Sequence, residues 1–323
     1  AMSYVCIEKH NKKTGKGKGY CVNKQANSAS SSSEVLLKEI AIFEKIRRHR
    51  SPWKHYLMIG AHSFTHLPVV SVSMPYARGG DLFDQVTQYK PIQTRHFIEL
   101  LKGLHTLHQL KILHLDLKLD NIFITNKGTV QIADFGLSCQ MKHQLMGERV
   151  TSELFRGSPG HIPPEMIHNG YLMSQSSSLP EYQSIGTAAD IWSLGQVFFS
   201  MITRQTLWSC CAKKLHKNAE QVTQTNDIKT IHTIYNDLEP SFQQGSITKT
   251  LSEQGLLKFI KKNVKKNRNY SSDHHTAFSV KLSKAIQGML LWNQKERPRT
   301  RQLIDDLREG FDSAKSSLTN TTQ

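Results

Sequence analysis

The hydrophobic pattern of this chain changes period near residue 75, and no other feature restricts its fold as strongly. Before that point, short apolar runs alternate with polar turns. Tyr4 to Glu8 and Gly19 to Lys24 read as two strands joined by the turn His10 to Lys18, and residues 56–60 and 68–74 read as two more. One helix interrupts them. The serine-rich run Ser28 to Ser33 caps a segment from about Glu34 to Arg48, in which Val35, Leu36, Ile40, Phe43 and Ile46 recur at helical spacing. Beyond residue 75 helices dominate. Ala77-Arg-Gly-Gly80 is a loop and Asp81 a natural N-cap. Gln93 to Lys111 carries Phe97, Leu100, Leu101, Leu104 and Leu107 on one face. Short strands are predicted at 122–125 and 130–133, turning at Asn126-Lys-Gly128, followed by loop to Pro164. A buried helix at 188–203 and final helices within 281–309 complete the pattern, with a polar tail from Ser316. No internal repeat is visible. The class implied is α+β, with a strand-rich front and a helical remainder.

A chain of 323 residues can bury one large core or two lobes, and 38% hydrophobic with 21% charged residues is a globular composition. The most apolar stretch, Ala188 to Thr203, is broken by Asp190, Gly195 and Gln196, which argues against a membrane span. No signal peptide is expected at the start, and the leading Ala1-Met2 reads as a cloning remnant. Cys6, Cys21, Cys139, Cys210 and Cys211 form neither a CxxC pair nor a zinc spacing, which predicts reduced thiols in a cytoplasmic setting.

The net charge of +16 suggests an anionic partner. Its distribution narrows the possibilities. Residues 1–60 hold 12 basic and 4 acidic side chains, residues 204–270 hold 12 and 5, and residues 61–203 balance at −1. A nucleic-acid-binding module would need aromatic platforms among its cations, and none is interleaved here, so no specific nucleic acid is expected. The stretch 256–268, with Lys261, Lys262, Lys265, Lys266 and Arg268 beside Leu256, Leu257, Phe259, Ile260 and Val264, reads two ways. It is either an amphipathic helix with a solvated lysine face or a docking surface for an acidic protein or an anionic membrane.

The sharpest chemical signal is His114-Leu-Asp-Leu-Lys-Leu-Asp-Asn121, followed thirteen residues after Asn121 by Asp134-Phe-Gly136. It places Asp116, Asn121 and Asp134 in loops at the ends of short apolar strands. Phosphoryl transfer needs that set: oxygen ligands for Mg2+ and a carboxylate to orient a hydroxyl. With its spacing, the constellation resembles the eukaryotic-type Ser/Thr protein kinase family. The resemblance implies a bilobal kinase fold. Asp116 would be the catalytic base, Lys118 the charge-neutralising lysine, and Asn121 and Asp134 the metal ligands. Gly157-Ser-Pro-Gly-His-Ile-Pro-Pro-Glu165 resembles the end of an activation segment, with Ser158 beside the catalytic Asp and Glu165 paired to Arg297. Asp190-Ile-Trp-Ser-Leu-Gly195 matches the buried helix whose Asp holds the catalytic loop.

In the front part, Tyr20-Cys-Val-Asn-Lys24 stands where the family places its phosphate-contacting lysine. Glu34, Glu39 and Glu44 compete to be its partner. Glu39 is fifteen residues on, between Leu36 and Phe43 on the apolar face, and is the one chosen. Ser73-Met74-Pro-Tyr-Ala77 resembles the hinge, with Met74 as gatekeeper and the backbone of Pro75 and Ala77 meeting adenine. Asp81 would reach a ribose hydroxyl or serve only as a cap. Val5, Val22 and Phe123 complete the nucleotide positions. The implied cofactors are ATP and Mg2+, with Mn2+ as the alternative metal, and the implied partner is a protein carrying Ser or Thr hydroxyls.

The chain departs from the family in three ways. Gly15-Lys-Gly-Lys-Gly19 is a turn directly before the Lys24 strand, so the glycine-rich loop is expected to be missing or truncated ahead of Val5. Leu115 replaces the usual Arg, which predicts activity without activation-segment phosphorylation. Val22 replaces Ala and would either crowd the nucleotide or pack on it. These departures make a pseudokinase, a nucleotide-binding or scaffolding module, the rival reading. The expected organisation is a small lobe over 1–76, a large lobe over 77–314 with insertions near 168–187 and 205–280, and a tail over 315–323. The polar insertions also resemble those of effector kinases that intracellular bacterial pathogens deliver to the host cytosol, with a divergent eukaryotic or viral kinase as the alternative.

Overall fold

A computed structural model of the chain describes residues 4–10, 19–27, 31–60, 62–64, 69–141, 155–175, 182–243, 264–265 and 272–312. The front is a four-stranded antiparallel sheet in the order β1-β2-β4-β3, with β1 at Tyr4–His10, β2 at Gly19–Asn27, β3 at His62–Phe64 and β4 at Val69–Pro75. In register, Lys24 stands opposite Val5 on one side and Val72 on the other, while Val22 faces Met74. Residues two apart share a face, so Val22, Lys24, Val72 and Met74 point the same way. Val70 and Val72 are buried there with Leu36, Ile40, Phe43 and Ile46 of helix α1, Ser31–Arg48. Full burial of a side chain such as Phe43 contributes about 1.5–3 kcal/mol. Gly60 permits the close passage beneath: a Cβ there would lie 2.2 Å from Val72.

Residues 56–60, expected as a strand, are not one. A 3-10 turn occupies Lys54–Tyr56, and Leu57 only bridges Ile132. Leu57 and Met58 are apolar because they turn inward against the larger part, where the Met58 N–H donates to the Ile132 carbonyl at 2.8 Å. The strand forms later, at β3.

The larger part is built on two helices. The first, α3 at Thr94–Gln109, follows α2 at Leu82–Thr87 and the two-residue strand β5 at Ile92–Gln93. All five predicted apolar positions of α3 are fully buried. The second, α5 at Thr187–Thr203, is buried on every side, as a helix apolar all round must be. Between them lie β6 at Ile112–Leu113, β7 at Ile122–Ile124, β8 at Val130–Ile132, β9 at Cys139–Gln140 and α4 at Pro164–Gln175. Strand β9, inside a stretch expected as loop, pairs with β6.

Helices α6 at Leu207–Lys214, α7 at Ile228–Gln243, α8 at Ser272–Met289 and α9 at Thr300–Asp312 follow among the described residues. The stretch read as an insertion at 205–280 supplies Trp208, Tyr235 and Phe242 to an aromatic core with Trp192 and Trp292. Within it, β10 at Val264–Lys265 pairs with β5, so these two residues are strand where a helix was one expectation. The rest of the basic stretch 256–268 lies outside the described residues. Among the described residues no helix is long and apolar enough to cross a membrane.

Candidate active site

The loop after β6 is anchored by burial: Leu113, Leu115, Leu117 and Leu119 are buried together with His114 and Asp116, and Lys118 is half-buried. The anchor is completed from below. The Asp190 carboxylate of α5 accepts the N–H of His114 at 3.0 Å, the N–H of Leu115 at 2.9 Å and Nε2 of His108 at 3.0 Å. Burial alone would push Asp190 up, but His108, His114 and the Leu115 N–H hold its carboxyl below the ordinary range. Leu115 is thereby kept at φ 62, a left-handed conformation costly for a branched residue.

His114 links this loop to the next one. Its Nε2 hydrogen-bonds the Ala133 carbonyl at 3.0 Å, and its Nδ1 accepts the Asp116 N–H at 3.3 Å, which assigns the proton to Nε2. Asp116 is then surrounded. Its Oδ1 accepts the N–H of Ser158 at 3.0 Å and the Ser158 hydroxyl at 2.8 Å, while Oδ2 accepts Asn121 Nδ2 at 3.0 Å and lies 3.3 Å from Lys118 Nζ. Lys118 also donates to Ser158 Oγ at 2.6 Å.

A second set faces it from the front sheet. Lys24 Nζ meets Glu39 Oε2 at 2.7 Å and Asp134 Oδ1 at 3.1 Å. Glu39 is fully buried and its other oxygen accepts the Phe135 N–H at 3.2 Å, so α1 is tied both to β2 and to the loop after β8. Of the competing acids, Glu44 pairs with Arg47 and Glu34 is exposed. Burial raises the Glu39 carboxyl, with Lys24 opposing. For Lys24, burial is outweighed by the two carboxylates, and its pKa rises. Asp134 moves the other way: burial is outweighed by Lys24 and the Gly136 N–H, which hold it low and ionised. Phe135 is fully buried, edge-on to Phe43 at 5.7 Å and 5.3 Å from the His114 ring.

The donors fit magnesium. Asn121 spends its amide nitrogen on the Asp116 carbonyl at 2.8 Å and on its carboxylate, so oxygen is what it has left to offer a cation. Its own carbonyl accepts the Ala133 N–H at 2.8 Å, which brings it beside Asp134, whose side chain is 48% exposed. Two hard oxygens, completed by phosphate and water, suit Mg2+. Among the described residues no cluster of three or more His, Cys, Asp or Glu side chains could hold a metal by itself.

The remaining predicted positions lie around these two sets. Val5 is at the register position opposite Lys24, and Val22 and Met74 sit side by side and half-buried. Pro75 ends β4, Ala77 accepts the Gly80 N–H at 3.2 Å, and half-buried Phe123 bridges Asp81 through the backbone. Asp81 caps α2, accepting the Asp84 N–H at 2.8 Å. A cavity of about 510 Å³ beside Pro75 and Ala77 is walled by Asn126, Lys127 and Gln131 rather than by Lys24 or Asp134, and is therefore a different space. Farther off, Arg297 grips Glu165 with two bonds of 2.8 Å, both side chains buried.

This geometry has a counterpart among known proteins. A family model described as the protein kinase domain matches residues 2–307. The chain belongs to the protein kinase family. Curated relatives of the kinase include the probable serine/threonine-protein kinase MARK-B of Dictyostelium discoideum, 24% identical over 278 residues, covering 84% of this chain and 36% of that protein. Another is the CBL-interacting serine/threonine-protein kinase 13 of Arabidopsis thaliana, 30% identical over 185 residues, 56% of this chain and 33% of that protein. A further probable serine/threonine-protein kinase of Dictyostelium discoideum is 30% identical over 172 residues, 53% of this chain and 22% of that protein. The chain thus spans about a third or less of the length of these relatives.

Sequence reasoning missed His108. It lies on the last turn of α3, and only the packing of α3 against α5 reveals its bond to Asp190.

Proposed function

We propose that this kinase transfers the γ-phosphoryl group of Mg-ATP to Ser or Thr hydroxyls of proteins, without needing a phosphate on its own activation segment. Asp116 receives the proton of the incoming hydroxyl. Lys118, beside both Asp116 and Ser158, offsets the negative charge that grows there. Lys24, steered by Glu39, grips the nucleotide phosphates, and the Val22 and Met74 side of the sheet covers the base. Magnesium held by Asp134 and Asn121 would supply positive charge across the phosphate oxygens. Catalysis of this kind is positioning plus preorganised electrostatics.

The observation that carries the reading is the completed pair of networks: Asp116 with Lys118, Asn121 and Ser158, and Lys24 with Glu39 and Asp134. Support for independence from segment phosphorylation comes from Leu115. Its buried apolar side chain offers no guanidinium to a phosphate, yet the loop is already held by Asp190. We also assign the activity to a cytoplasmic setting, which rests on cysteine spacing and is tested by cell fractionation.

The deciding experiment supplies labelled Mg-ATP and mixed protein substrates to the wild type, Asp116→Asn and Asp134→Asn. Label on Ser and Thr is expected from the wild type, with a loss on the order of 10²–10⁴-fold for Asp116→Asn. Transfer by all three would refute the residue assignments. Transfer by none, with nucleotide still bound, would leave a scaffold.

A further inference from the structure

On the surface away from the two networks, three segments converge on a pair of aromatic rings. Trp53 and Tyr56 flank the 3-10 turn after α1. Lys102 of α3 places its Nζ 5.8 Å from the centre of each ring, and Arg308 of α9 places its guanidinium carbon 5.8 Å from the centre of Trp53. Both cations are half-buried. Among the described residues, neither forms a salt bridge.

The nearby acids are engaged elsewhere. Glu99 accepts the Val130 N–H at 3.0 Å and lies 3.9 Å from Arg95. Asp305 holds Arg301 at 2.9 Å, and Glu309 holds Lys281 at 3.2 Å. Burial and then the Arg308 charge lower the Lys102 pKa, with Glu99 opposing, so the two cations repel each other. In sequence, Trp53 belongs to a basic run, residues 45–54, that holds five Lys or Arg and no acid; Arg47 is paired with Glu44, and Arg48 and Arg50 are exposed.

We propose that Lys102 and Arg308, over the floor of Trp53 and Tyr56, form a second anion site that binds a phosphate-bearing ligand. The ligand chemistry follows from the donors. An ammonium and a guanidinium approaching from separate helices leave two positive charges and several N–H groups with no carboxylate in salt-bridge range among the described residues. A phosphate dianion offers matching charge and enough acceptor oxygens to satisfy both, with the guanidinium bonding two of them in its plane. The ring faces attract both cations and favour their staying near one another. The group could arrive on a soluble polyphosphate or on a lipid headgroup.

Calorimetric titration of the full chain with inositol hexakisphosphate tests the soluble source. Sedimentation with phosphatidylcholine vesicles containing phosphatidylinositol bisphosphate, against phosphatidylcholine alone, tests the lipid source. In at least one arm, the double variant Lys102→Gln/Arg308→Gln is expected to bind about tenfold more weakly per lost cation. Lys102→Arg/Arg308→Lys should retain binding and guards against a folding defect, read from an unchanged melting temperature without probe. Lys24→Met, which alters the nucleotide cleft, should bind the probe as the wild type does. The site is refuted if the Gln variant binds as tightly as the wild type in both arms. It is equally refuted if neither probe binds, or if only Lys24→Met loses binding. Because the cleft has its own control, failure here leaves the phosphotransfer reading untouched.

Discussion

The hydroxyl of Ser158 stands between Asp116 and Lys118, accepting from the lysine and donating to the carboxylate. Removing it should leave the nucleotide side alone but take one bond each from Asp116 and Lys118, loosening their alignment. For Ser158→Ala we expect kcat to fall about tenfold, the equivalent of one hydrogen bond, with the KM for ATP unchanged in steady-state kinetics. A second expectation concerns His96, buried in α3 with Nε2 3.0 Å from the Gly128 carbonyl and its pKa lowered by burial to about 4. The unfolded chain binds this proton near pH 6.5 and the folded chain only near 4, so the neutral ring's contribution is complete above 6.5 and lost as pH falls towards 4. Denaturant titrations at pH 7 and pH 5 should show the wild type losing about 1–2 kcal/mol more than His96→Gln. Single residues were the most legible part of the sequence. Asp116, Asn121 and Asp134 could be picked out because their spacing resembles a known family's motifs, whereas His108 could not, because a lone histidine on the last turn of a helix belongs to no such motif.

Elements were legible where one period governed them. Helix α3 follows its apolar stripe closely, since five fully buried positions leave no other register. Runs of four or five apolar residues were ambiguous. Residues 56–60 look like a strand, but their apolar side chains serve contact with β8 rather than a ladder. Strand β9 and strand β10 have two residues each, too short to leave any periodic trace. The junction between α4 and the loop before α9 provides an energetic test. Glu165 and Arg297 are fully desolvated, and Arg297 also donates to the carbonyls of Leu291, Ala188 and Trp292 while stacking 5.0 Å from Trp192. Arg297→Met strands a buried carboxylate and should cost roughly 3–5 kcal/mol in urea unfolding. The double variant Glu165→Leu/Arg297→Met should cost less than the sum of the singles, since neither charge is then left alone.

At the scale of the molecule, the front sheet and the helical part are clasped by α1. Glu39 reaches the Phe135 N–H, Phe43 packs on Phe135, and Lys45 donates to the Leu110 carbonyl at 3.0 Å. These bonds use no phosphate. Turnover should therefore survive treatment with a broad-specificity phosphatase, and a loss restored by rephosphorylating the activation segment would contradict this. The stretch 205–280 was the least legible. Its ties to the rest join residues far apart in sequence, such as Trp208 Nε1 to the Gly160 carbonyl at 2.6 Å and the Tyr235 hydroxyl to the Ile162 carbonyl at 2.7 Å, and leave no local pattern. The bond from Arg297 to Glu165 spans 132 residues and sets an order of events during synthesis. A chain leaving the ribosome displays Asp116, Asn121 and Asp134 long before Arg297 emerges, so α4 waits with an unmatched carboxylate. Until residue 297 has been made, the nascent chain has these three side chains but lacks the brace on α4, so this part of the fold closes only after 132 further residues are synthesised.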